Sequence, residues 1–177
     1  DLMALGAPAW LVSAATEAQA DEVVHAQHCF AVASTLSGEV KGPGPVSLVG
    51  VFDAPVSPKG LLTETILDAC INETLAAAEA AYLSSVAQQD SLRALLRRIA
   101  DDESRHAALG WQTVRWLVGQ HPELKTVAEA VFDAATPRSA PLPRANPSED
   151  WMFALGCMPS IHTGALRIQV WEDVIAP

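Results

Sequence analysis

Ala100-Asp101-Asp102-Glu103-Ser104-Arg105-His106 lies in the middle of a long helical pattern, and its reading decides the fold. Glu103 and His106 are three residues apart, a spacing that places both side chains on one helix face, one turn apart. At helical period the apolar stripe runs Leu92, Leu96, Ile99, Glu103, His106, Gly110, Val114 and Leu117. The only ionisable members of that stripe stand at its centre. A buried carboxylate without a partner costs several kcal/mol, and a metal ion is a natural partner. A buried polar network without metal is the alternative.

The spelling occurs twice. Asp21-Glu22-Val23-Val24-His25 repeats Asp-Glu-x-x-His inside the stripe Leu11, Ala15, Ala18, Glu22, His25, Cys29, Val32, Leu36. With 11 Glu and 5 His in 177 residues, chance supplies ~0.3 Glu-x-x-His matches, and two by accident has a probability of roughly 0.04. The pair is therefore treated as signal.

The composition suits packed helices. Half of the chain is hydrophobic, only 6% is aromatic, and alanine is frequent, so an all-α fold is expected. A net charge of −10 leaves no basic stripe for nucleic-acid phosphates and does not suit an anionic membrane surface. No apolar run reaches transmembrane length. Cys29, Cys70 and Cys157 are too scattered for a disulfide framework or a zinc cluster and are read as small buried hydrophobes, compatible with a cytoplasmic setting.

In chain order, residues 2–8 read as the end of a helix and a turn, followed by a helix over 8–37. Residues 38–60 hold five Gly and four Pro without helical period. Extended, they reach up to ~75 Å, enough for a crossover along a bundle. The next helix spans 61–87, with the stripe Leu62, Ile66, Ala69, Glu73, Ala76, Ala80, Leu83 again interrupted by a carboxylate; Glu64 and Glu79 fall on other, solvated faces. Gln88 to Ser91 is a polar turn, and a helix runs from there to Gly119. If these two helices form an antiparallel hairpin, Glu73 and Glu103, whose positions average to 88, face each other at one height. A short helix over 123–135, a Pro-rich linker over 136–147 and helices over 149–157 (capped by Ser148) and 161–175 complete the chain. The domain reading is 1–119 for the bundle and 120–177 for a C-terminal helical extension.

Two Glu-x-x-His helices with a glutamate from a facing helix resemble the ligand set of the ferritin-like di-iron or di-manganese carboxylate proteins. The stretch Asp102 to His106 is similar to the Asp-Glu-x-Arg-His form of their oxidase and hydroxylase branches; Val24 stands where the first motif would carry Arg. The resemblance covers residues 2–119 and extends to bacterial ferritin-like domain proteins of unassigned function. It implies a four-helix bundle with a long crossover between its second and third helices. It implies metal ligation by Glu22, His25, Glu73, Glu103 and His106, with two Fe ions or, alternatively, Mn. Asp21, Asp102 and Arg105 would stand behind these ligands, Asp102 toward His25, Asp21 toward His106, and Arg105 paired with an Asp.

The implied function is an oxidoreductase activating O2 or peroxide toward an unknown small substrate. Iron storage with ferroxidase activity, or a metal-free interaction module, are the alternatives. His28, one turn past His25, could approach the site or belong to the core; His121 and His162 lie at helix breaks. Tyr82, the single tyrosine, is read as packing, like Trp111 and Trp116. Parallel second and third helices would hold Cys29 and Cys70 about 10 Å apart, so no disulfide is expected between them. Hairpin symmetry about Gly6 would put a sixth ligand about ten positions upstream of Asp1. A first helix beyond the given sequence, or a partner chain or second copy supplying it, is therefore expected.

Overall fold

The computed structural model describes residues 1–50, 55–137 and 151–176, and every regular element among them is helical. The chain forms two compact units, residues 1–61 and 62–177.

In the first unit, residues 1–7 form a turn closed in the manner of a helix end: the Gly6 N–H bonds the Met3 carbonyl, the Ala7 N–H bonds the Leu2 carbonyl, and Gly6 is left-handed at φ 74°. Pro8 precedes helix α1 (Ala9–Ser37) in extended backbone. Gly38 stops α1 in the left-handed conformation (φ 70°) and donates its N–H to the Ser34 carbonyl, a geometry that glycine adopts without Cβ strain. The expected α1 stripe is only partly buried: Leu11 and His25 are buried, whereas Cys29 and Leu36 are exposed. Alanines and valines occupy every face of this helix, so no single stripe stands out in the sequence. The described part of the connection after Gly38 is irregular and displays Val40, Val46 and Val49 to solvent.

The next helix starts earlier than expected, at Pro58. Ser57 caps it: its Oγ accepts the Gly60 N–H at 3.1 Å, and its carbonyl accepts the Leu61 N–H. Proline favours a first helical position because its missing N–H is unneeded there. Helix α2 (Pro58–Thr65) passes into a π-helical stretch, Ile66–Asn72, and continues as α3 (Glu73–Val86).

The second unit is built on the hairpin of α3 and α4 (Asp90–Gln120), joined by the short turn expected around Gln88. Its core has two ends. Near the turn, Leu83, Ala87 and Leu96 pack with Leu92, Phe153 and Met158. Far from it, Ile66, Cys70, Ile71 and Leu117 are buried. At this far end α4 lies close to the π-helical stretch: a Cβ at Gly110 would stand 2.6 Å from the Ala69 Cβ and 2.8 Å from the Ala69 carbonyl carbon. Only glycine lets α4 lie this near the π-helical stretch.

A short 3-10 turn at Pro122–Leu124 leads into α5 (Lys125–Ala135), which packs on the π-helical stretch, with the Phe132 ring stacked on Trp111 at 5.3 Å. α6 (Trp151–Ala154) and α7 (Ser160–Val170) pack against α3, and a π-helical turn, Trp171–Ile175, ends the fold with Trp171 buried. Most of the expected linker, together with Ser148, lies outside the described residues. No described helix is long and apolar enough to cross a membrane.

All three cysteines are free, so Cys29 and Cys70 form no disulfide. Cys70 alone is buried. The expectation of three buried cysteines fails for Cys29 and Cys157, which sit on exposed faces.

Candidate metal centre

α4 buries the two central residues of its stripe as its sequence demands. The Glu103 side chain is 9% exposed and that of His106 is 6% exposed, with His106 Nδ1 3.3 Å from Glu103 Oε2. The rest of the stripe surrounds them: Leu96, Gly110 and Leu117 are buried, and Leu92, Ile99 and Val114 are half-buried.

Glu73 opens α3 directly after the π-helical stretch and is half-buried. One ligand atom each from Glu73, Glu103 and His106 lies within 4.8 Å of the others. Two donors on opposite sides of one ion at ~2.2 Å stand ~4.4 Å apart, so the trio needs little contraction to share an ion. The donors are carboxylate oxygen and imidazole nitrogen without thiolate, a set that suits iron or manganese better than structural zinc. Glu103 and Glu73 are also like charges brought together in a partly dry site, and a cation removes that repulsion. The residues present therefore fit a metal ion.

Asp102, beside Glu103, is buried as well and is held from the outside. Arg105 donates a hydrogen bond to Asp102 Oδ1, and the Arg98 Nε lies 3.9 Å from its other oxygen. Arg105 thus pairs with an Asp, as expected, and screens a buried acid adjacent to the trio.

In the first unit, α1 holds the second motif. His25 is buried and its Nδ1 lies 3.5 Å from Glu22 Oε1, while the Glu22 side chain is 51% exposed and Asp21 is half-buried. Glu22 thus departs from the burial its stripe implied. Among the other histidines, His28 is half-buried with a buried Nδ1 that has no hydrogen-bond partner among the described residues. His121 sits at the surface near Glu123, and His162 packs on Phe153.

Two features of the helix that carries Glu73 were not visible in the sequence. The π-helical stretch widens the turn just before Glu73, and such insertions often accompany functional sites. Glu79, expected to be solvated, is half-buried, and desolvation raises its carboxyl above the usual range. Burial likewise pushes the Cys70 thiol up to about 12, which leaves it protonated and inert at neutral pH.

No protein-family model matches this chain, and neither a curated protein nor a solved structure matches it.

Proposed function

We propose that this chain is a ferritin-like di-iron (or di-manganese) carboxylate protein and acts as an oxidoreductase on O2 or peroxide. The observation that carries the reading is the convergence of Glu73, Glu103 and His106 within 4.8 Å in the buried centre of the α3–α4 hairpin. The second Glu-x-x-His, Glu22 and His25, supports two metals rather than one, because it offers the same donor pair on another helix.

In this proposal Glu73, Glu103 and His106 hold one side of the centre, and Glu22 and His25 supply the other. Two such ions, when bound, would supply two-electron chemistry toward an oxidant. The protein contributes a partly buried, acidic site that orients the donors. In this reading Asp102, which Arg105 and Arg98 hold from outside, and Asp21 would accept the second imidazole N–H of a ligating histidine, fixing its orientation and raising its basicity. A cytoplasmic setting belongs to the same proposal.

Adding ferrous iron anaerobically and then mixing with O2 tests the reading. The expected outcome is oxidation of two irons per chain within seconds, without growth of mineral beyond that ratio. Continued mineral growth would favour storage, and an absence of iron uptake would favour a metal-free bundle.

A further inference from the structure

The C-terminal helices form a second feature that the metal centre does not use. Tyr82, Met158, His162, Ala165, Leu166 and Gln169 line a pocket of about 180 Å³ on α3 and α7 that is open to solvent on one side. Tyr82 lies nine residues beyond Glu73 in the same helix, about 13 Å along its axis. The pocket is therefore separate from the carboxylate trio.

We propose that this pocket binds a small, uncharged monocyclic aromatic molecule bearing one hydroxyl group. Size comes first: an apolar cavity of ~150 Å³ accommodates a benzene ring, so 180 Å³ leaves room for a ring and one or two further atoms. Charge comes second. None of the six lining residues is Asp, Glu, Lys or Arg, so an ionised ligand would find no counter-charge there.

The walls supply the third argument. The Phe153 ring packs edge-on against His162 at 4.9 Å and against Tyr82 at 5.9 Å, which braces two of the lining rings. Met158 adds a polarisable thioether, a good neighbour for a ring edge. Finally, His162 Nδ1 is buried with no hydrogen-bond partner among the described residues. A proton there would lack an acceptor, so it belongs on Nε2, which is left as the ring's hydrogen-bonding atom toward a ligand hydroxyl oxygen.

Phenol is the probe. Titrated into the full chain with methyl-labelled methionine, it should shift the Met158 resonance saturably, with a Kd on the order of 1 mM, a value reasonable for so small a ligand. Benzoate should bind at least about tenfold more weakly, because its charge is unpaired in the pocket. H162F keeps an aromatic ring but removes Nε2, and should weaken phenol about fivefold, the worth of one hydrogen bond. A165F crowds the pocket and should abolish the shift while circular dichroism shows unchanged helix content. A non-saturable shift, equal binding of benzoate, or wild-type phenol binding by A165F would each overturn the proposal. If either variant loses helix content, the phenol and benzoate titrations of the unmodified chain still decide the matter.

Discussion

Glu73 and Glu103 stand at equal distances in sequence from Gln88, and their ligand atoms meet within 4.8 Å. The relationship follows from hairpin geometry, because residues equidistant from a tight turn share one height when both helices rise regularly. It brings two like charges together in a site that excludes much of the solvent. Without a cation the arrangement opposes folding, and with one it favours binding. Glu103→Gln should therefore raise the stability of the metal-free protein by about 1 kcal/mol while abolishing tight metal binding. Urea unfolding in the presence of a chelator, beside metal titration of the same variant, checks both halves. A destabilised metal-free variant would show that Glu103 serves packing rather than ligation.

Gly110 is the second point at which the hairpin is sensitive. Any Cβ there meets Ala69 at 2.6 Å, against backbone as well as side chain, so the helices must part. Gly110→Ala should cost about 2 kcal/mol despite the higher helix propensity of alanine. It should also weaken metal binding, since Glu73 follows the π-helical stretch that Gly110 touches. Thermal unfolding reads the first effect. A more stable Gly110→Ala would mean that the contact is not close in solution.

The cysteines divide by burial. Cys29 and Cys157 are exposed and should react with a thiol reagent within minutes at pH 8, whereas Cys70 should react only on unfolding. Because burial raises the folded-state value of Cys70 from 9.0 to about 12, its contribution to stability is complete below pH 9. It is lost as the pH climbs from there toward 12, where the unfolded thiol ionises and the folded one does not. Replacing Cys70 with Ala should flatten the alkaline fall in stability, seen by comparing urea midpoints at pH 8 and pH 10.5. Rapid labelling of three thiols in the folded protein would contradict this assignment.

Much of this was legible in the residues themselves. The stripe through Leu96, Glu103, His106, Gly110 and Leu117 marked a buried face correctly, because α4 is strongly amphipathic and its polar interruptions are few. Gln88 and its neighbours marked the turn, and from it the height of Glu73. The π-helical stretch was not legible: Ile66 to Asn72 carries an ordinary helical pattern, and the wider turn depends on packing against α4 and α5 rather than on any local residue. That wider turn brings Ile71, off the expected stripe, to 1% exposure. Nor could alanine-rich α1 declare which face is inside, so the exposure of Glu22, Cys29 and Leu36 went unforeseen. Ser57 and Pro58 did carry a start signal, hidden by the Gly- and Pro-rich run before them.

The most direct test of the central claim is equilibrium binding of ferrous iron under anaerobic conditions, read as metal bound per chain after gel filtration. Two equivalents are predicted for the unmodified chain. His106→Ala should retain at most one, because the α4 motif supplies the imidazole of one side. Fewer than one equivalent in the unmodified chain, or two in His106→Ala, would contradict a metal centre built on Glu73, Glu103 and His106.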